Sequence, residues 1–220
     1  MSNRGVMILI VLLLGLPLLA HAGEAIPASS EPTPAPNRGP DLGPLKMLKA
    51  GQIEALDRRI NDLQVAYEAD TDKEGLLGDA LSVVTVPDPE LEDAFQSWLA
   101  SHPSSYAANL ATGWYYLNMA GAWRGSKFIK DTPQWKLDAM DRYLQKAVLI
   151  LEQSVTMTEK PSESYALLIN AARLRGRIKE ASRWLGEATR RDPYCILPRN
   201  EYMAHLEPRS LSENSWLHVS

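Results

Sequence analysis

A helical hairpin between residues 162 and 193 is the feature that most constrains the fold of this chain. Apolar and small residues recur there at helical steps of three and four, a glycine divides the segment, and a proline closes it. The positions are Tyr165, Leu168, Ala172, Gly176, Ala181, Leu185, Ala188 and Pro193. One hairpin has an apolar face that it can bury only against a neighbour. The pattern therefore predicts an all-α fold of stacked antiparallel helical hairpins, with no sheet.

Helices are expected through most of the remaining chain. Apolar stripes, caps and breaks predict them over residues 45–50, 53–67, 73–84, 89–101, 106–121, 133–156 and 198–206. No segment alternates apolar and polar residues for long enough to predict a strand. Together these helices predict one α-helical repeat domain over residues 45–208, a length that suits a single continuous core.

The first 22 residues have the parts of a secretory signal peptide. Arg4 precedes an apolar run over residues 6–19, and Ala20-His21-Ala22 follows. Signal peptidase cuts after such small residues, so cleavage between Ala22 and Gly23 is expected. The run of about 15 residues is shorter than the roughly 20 that a spanning helix needs, which favours cleavage over an uncleaved anchor. The mature chain is therefore expected in the periplasm or outside the cell, with no stable membrane span.

Two further segments are expected outside the helical domain. Residues 23–44 contain six prolines among small polar residues, which leaves too little apolar surface to fold, so a proline-rich disordered linker is predicted. Residues 209–220 are expected to form a C-terminal tail.

Charge and cysteine content exclude some functions. The chain has 27 acidic and 23 basic residues and a net charge of −4, which argues against a nucleic-acid partner. Cys195 is the only cysteine, so no intramolecular disulfide can form. Its place between Tyr194 and Ile196 favours a small buried hydrophobe over a reactive thiol.

Stacked hairpins would align their first helices along a concave groove. That alignment predicts groove-lining side chains from two helices: Glu163, Asn170 and Arg173 from the clearest hairpin, and Thr112, Tyr115 and Tyr116 from the aromatic helix. An ordinary solvated position is the alternative for each of them.

The predicted loop after residue 121 holds a second candidate for recognition. Trp123 and Arg124 combine large apolar area with directed donors, as interaction hot spots do. Equally, Trp123 could fill the gap between hairpins while Arg124 caps carbonyls at the end of the preceding helix.

No catalytic, metal or cofactor site is evident. His102, His205 and His218 are far apart and lack partners at metal-ligand spacing, so no metal is expected. No phosphate-binding loop or nucleophile elbow occurs, so no cofactor is expected either. The pair Glu163-Ser164 is superficially similar to the catalytic pair of lytic transglycosylases, but an acidic first helical turn explains it better.

Several short motifs make the chain similar to known families. They are Leu48-x-x-Gly51-x-Ile53-x-x-Leu56, Trp98 before His102-Pro103, Ala122-Trp123-Arg124-Gly125, Asp192-Pro193-Tyr194, and Leu206-x-Pro208-Arg209. With these motifs the chain resembles an uncharacterised bacterial family, domain of unknown function 4034. Residues 162–194 resemble a tetratricopeptide repeat, which implies a right-handed superhelix. The family usually continues with Trp-Gly-Gly where this chain has Ser210-Leu211-Ser212, so this end is either divergent or truncated. The family implies no established activity.

Three functions stay open. The preferred one is a non-enzymatic scaffold that binds a protein or peptide in the bacterial cell envelope. An envelope hydrolase acting on glycan or peptide is the second, with carboxylates such as Glu163 brought together by the fold. The third is a structural envelope component that self-associates. Charge polarity could promote self-association or steer an oppositely charged partner, because residues 62–93 have ten acidic residues and one basic residue, while residues 173–191 have seven basic and two acidic. A solvated face with weak ion pairs is the favoured explanation of that polarity.

Overall fold

The computed structural model describes residues 40–126 and 129–206. The predicted signal peptide, its cleavage site at Ala22 and Gly23, the linker up to residue 39 and the tail over residues 209–220 lie outside the described residues.

The described part of the chain is all-α. Its helices are α1 Gly43–Lys49, α2 Ile53–Ala69, α3 Glu74–Ser82, α4 Glu92–Ser101, α5 Tyr106–Arg124, α6 Gln134–Ser154, α7 Ser162–Leu174, α8 Ile178–Arg191 and α9 Leu197–Leu206. Short 3-10 turns occupy Thr71–Lys73, Pro89–Leu91 and Ile129–Asp131, and no strand occurs in these two ranges. Most helices that follow each other pack together, most extensively α5 with α6 and α7 with α8. The predicted all-α class is confirmed, and the right-handed superhelix stays a prediction.

Local sequence explains several helix boundaries. The Asp88 carboxylate accepts a hydrogen bond from the Glu90 backbone N–H at 3.0 Å, and Pro89 takes the first position, as the sequence predicts. The Ser105 hydroxyl likewise accepts a hydrogen bond from the Ala108 backbone N–H at the start of α5. Gly176 has φ +67° and makes the turn between α7 and α8.

The end of α5 differs from the prediction. The helix passes through Gly121 and ends at Arg124, because one glycine in a helix costs only about 1 kcal/mol and packing offsets it. Gly125 follows with φ +64° and ψ −166°, a backbone conformation that glycine adopts most readily, and the helix ends there. Trp123 and Arg124 therefore lie in the last helical turn of α5, and their placement in a loop was wrong.

Helix α7 is the central element of the fold. Every residue from 161 to 172 is buried, and the helix contacts α3, α5, α6, α8 and α9. A helix that is buried all round needs neighbours on every side. The clearest hairpin in the sequence therefore forms the centre of the packed body and presents no open face along α7.

The largest helix contact depends on a missing side chain. A Cβ atom on Gly113 of α5 would stand 2.7 Å from Cγ of Leu151 on α6, and Leu151 is fully buried. The glycine therefore lets the two helices approach more closely than an alanine would.

Candidate functional site

One face of α7 holds three of the predicted groove residues. Glu163, Asn170 and Arg173 lie seven and three positions apart, which places them along one side of the helix. We call these three residues the α7 row. Glu163 is 8% exposed and Asn170 is 6% exposed, because α3 and α9 pack across this side. The open groove expected here is therefore filled by two other helices of the chain.

Two members of the α7 row bind an acidic side chain of α9. Asn170 Nδ2 donates a hydrogen bond to Glu201 Oε1 at 2.9 Å, and Arg173 Nε lies 3.2 Å from the same oxygen. Burial raises the pKa of Glu201, while the Arg173 charge and the Asn170 hydrogen bond act in the opposite direction. Asn170 and Arg173 thus bind a carboxylate on a helix that lies across the α7 row.

Glu163 is the third member of the row and has a different environment. Its Oε2 atom is buried and has no hydrogen-bond partner among the described residues. Burial raises the Glu163 pKa to about 8, and the charges of Glu74, Asp79 and Glu201 add to the effect. The carboxyl group is therefore mostly protonated at pH 7. Helix α3 packs directly onto it, since a Cβ atom on Gly78 would lie 3.3 Å from Oε2.

A second carboxylate joins the helices around the row. Glu74, at the start of α3, accepts hydrogen bonds from the backbone N–H groups of Ile196 at 2.9 Å and Leu197 at 3.3 Å. It also accepts one from the hydroxyl of Ser162 on α7. A negative charge is favourable at a helix N-terminus, so Glu74 anchors the start of α9 to both α3 and α7.

Sequence reasoning did not single out Glu74, Gly78 or Glu201. Each lies far along the chain from the hairpin over residues 162–193, or in a helix too short to give a clear stripe. In the sequence, Glu74 is one of ten acidic residues over 62–93, and such a charge run does not indicate which of its members makes a specific contact.

The aromatic helix also faces inward. Thr112 and Tyr115 have no exposed surface and Tyr116 is 4% exposed. The Tyr115 ring stacks on Phe95 at 4.5 Å, and its hydroxyl donates to the Asp88 carbonyl at 3.0 Å. These residues form the contact of α5 with α4 and the turn before it, so the structure does not place them on an open groove. Their role in binding a partner stays a prediction.

Trp123 and Arg124 lie at the end of α5, where Trp123 is half-buried. Its ring packs edge-on against Trp135 at 5.9 Å and 77°. The Trp123 indole nitrogen is buried without a hydrogen-bond partner in the described ranges. Arg124 stands in the last helical turn, where a positive charge is favourable next to the free carbonyls. The placement fits the packing alternative for Trp123, and a recognition role for this pair stays a prediction.

A polar cleft of about 540 Å³ lies between α2, the start of α5 and the loop that joins α6 to α7. Three carboxylates line it: Asp57, Glu68 and Glu159. Asp57 and Glu68 both take part in packing contacts. Asp57 Oδ1 accepts from Trp98 Nε1 at 2.8 Å and from Ser105 Oγ at 2.6 Å. Burial would raise the pKa of Glu68, but hydrogen bonds from the loop and from Gln64 outweigh it and lower this pKa.

The turn before α9 is fixed by polar and apolar contacts. Tyr67 donates its hydroxyl proton to Asp192 Oδ2 at 2.7 Å, and the Tyr194 N–H donates to Asp192 Oδ1 at 2.9 Å. Cys195 is 1% exposed, and burial raises its pKa. The single thiol is therefore a buried side chain, as the sequence predicts.

A family model described as Domain of unknown function (DUF4034) matches residues 45–215. The chain belongs to this family. In this DUF4034 chain the segments over residues 98–103 and 192–194, on which the resemblance was based, contain the packing contacts of Trp98 and Asp192. The likeness to a tetratricopeptide repeat is suggested by the packed helices alone. No curated protein and no solved structure matches the chain significantly.

No helix over residues 40–126 or 129–206 has both the length and the apolar character to cross a bilayer. Within these ranges, no three or more histidine, cysteine, aspartate or glutamate side chains are grouped to hold a metal ion.

Proposed function

We propose that this DUF4034 chain is a non-enzymatic protein-interaction scaffold of the bacterial cell envelope, and that its α7 row binds a helical protein segment. One observation carries the proposal: Asn170 and Arg173 already hold a carboxylate on a helix that packs across α7. Helices laid across a complementary surface are a common mode of peptide recognition. The signal-type sequence before Gly23 supports a periplasmic or secreted location.

Binding is favoured over hydrolysis by the distribution of carboxylates. A glycan hydrolase needs a carboxylic acid of raised pKa beside a cavity that admits the substrate. Glu163 has the raised pKa, but it does not line the polar cleft, and Gly78 packs onto it. Glu68 lines the cleft, but its pKa is lowered. The two requirements fall on different residues.

Site-specific photo-cross-linking in the native host tests the proposal. A photoreactive residue is placed at Leu174, which follows Arg173 at the end of α7, and in a control chain at Leu149 of α6. Leu149 is 61% exposed, whereas Leu174 is only partly exposed, so non-specific labelling would favour the control.

The expected result is a discrete adduct with another protein from position 174 and none from position 149. The absence of an adduct, or the same adducts from both positions, would contradict a specific scaffold. An adduct of twice the chain mass would favour the self-associating component instead. The same samples test export, because the mass of the mature chain should correspond to a start at Gly23.

A further inference from the structure

Helix α9 gains less from apolar burial than the other helices that surround α7. Of the α9 side chains that the structure describes, Pro198 is the only buried one, and Asn200, Met203 and Leu206 are exposed. By comparison α8 buries three residues against α7: Ala181, Trp184 and Ala188. Apolar burial is the main term that holds a helix in place. Separation of α9 from α7 therefore exposes less buried apolar surface than separation of any other helix around α7 would.

In the part of the chain that the structure describes, carboxylates make polar contacts at two points along α9. Near the start, Glu74 accepts the N–H groups of Ile196 and Leu197; further along, Glu201 is held by Asn170 and Arg173. Water replaces such hydrogen bonds when a helix undocks, so their net contribution to docking is modest. Attachment by carboxylates therefore makes the contact of α9 with α3 and α7 specific and also reversible.

The turn before α9 supplies a fixed point for opening. Asp192 is 4% exposed and Cys195 is 1% exposed, so the chain is anchored up to this position. The Arg199 guanidinium bonds the backbone carbonyls of Pro193, at 2.6 Å, and of Cys195. Those bonds stay within the turn and the first turn of α9, and none of them ties α9 to α7.

We infer that α9 is a displaceable occupant of the α7 row, and that the partner of the row is an acidic amphipathic helix whose carboxylate replaces Glu201. The inference rests on the proposed function and adds to it both the chemistry of the partner and a means of regulation. An incoming helix has to offer one carboxylate to Asn170 and Arg173 and an apolar side to α7. The protonated Glu163 beside this position adds no negative charge that would repel it.

Hydrogen–deuterium exchange on the full chain tests the displacement. The amides of α9 are expected to exchange through an opening that leaves α7 and α8 protected. Glu201→Ala should speed the exchange of α9 about tenfold without changing α7, because it removes both the Asn170 hydrogen bond and the Arg173 ion pair. Met203→Ala is the matched control, because Met203 is exposed on the same helix. Exchange of α9 together with α7 in one cooperative step would overturn the inference.

A peptide with the sequence of residues 196–206 tests the chemistry of the partner. Its fluorescence anisotropy should report binding to the full-length Glu201→Ala chain about tenfold more tightly than to the unmodified chain, because the internal competitor is weakened. A peptide with glutamine at the position of Glu201 should bind the variant several-fold more weakly. Glu201→Gln repeats the comparison with a side chain of the same shape, in case Glu201→Ala fails to fold. Equal affinity for the unmodified and variant chains, or no binding, would contradict displacement.

The two proposals fail in different ways. Opening of α9 and peptide binding without any adduct at position 174 would retain the displaceable helix and remove the scaffold function. An adduct at position 174, together with exchange of α9 only on global unfolding, would retain the scaffold function and remove the displaceable helix.

Discussion

Replacing Glu163 by glutamine is expected to stabilise the folded chain, and the gain should increase with pH. The carboxyl group is buried, and its Oε2 atom has no hydrogen-bond partner in the described part of the chain. Glutamine has nearly the same shape and is neutral at every pH. The substitution therefore removes the cost of ionising a buried group and leaves the packing of α3 on α7 unchanged.

The magnitude follows from proton linkage. The Glu163 pKa is about 8 in the folded chain against an ordinary value of 4.5. Between these two values the folded chain keeps a proton that the unfolded chain releases, so the stability of the unmodified chain falls as pH rises through this window. At 1.36 kcal/mol per pKa unit, the advantage of Glu163→Gln is about 1 kcal/mol at pH 5, about 3 kcal/mol at pH 7 and about 5 kcal/mol at pH 8.5.

Urea unfolding followed by circular dichroism at these three pH values measures the difference. Glu152→Gln is the matched control, because Glu152 is exposed on α6 and its replacement should change stability by less than about 0.5 kcal/mol. A difference between Glu163→Gln and the unmodified chain that stays constant from pH 5 to pH 8.5 would refute the reasoning. So would a variant that is less stable at pH 8.5.

Three further substitutions or probes test the packing. Gly113→Ala should lower the free energy of unfolding in urea by about 1–2 kcal/mol, because its Cβ meets the buried Leu151. Gly186→Ala, on the open side of α8, should raise the free energy of unfolding by about 0.5–1 kcal/mol. Equal effects of the two substitutions would contradict the close approach of α5 and α6. Asp57→Ala should lower the free energy of unfolding by about 1–3 kcal/mol in thermal melts, since it leaves a buried indole N–H without its acceptor. Cys195 should react with a maleimide only in denaturant, and rapid labelling of the native chain would contradict its burial.

The positions of the helices could be predicted from the sequence because their apolar stripes are local. Periodicity located the hairpin of α7 and α8 to within a few residues. The end of α5 could not be predicted in the same way, because a glycine inside a helix and a glycine that ends one look alike in sequence. Only the positive φ of Gly125 distinguishes it from Gly121.

The sequence does not predict which helices cover the α7 row, for a different reason. Helical spacing puts Glu163, Asn170 and Arg173 on one side of α7, which is a local property. What lies across that side comes from α3 and α9, and contacts between distant segments leave no periodic signal. The short α9 has one buried side chain among those that the structure describes, so its pattern did not predict where it docks.

The contact of Glu74 with the start of α9 also sets an order of events in folding. Its partner Ile196 lies 122 residues further along the chain, so the carboxylate cannot be satisfied until nearly the whole domain has been synthesised. Chains emerge from the N-terminus, and contacts of large sequence separation form late. On a nascent chain α7 therefore has an uncovered side for as long as α9 is incomplete, and a factor that recognises that side would act during this interval.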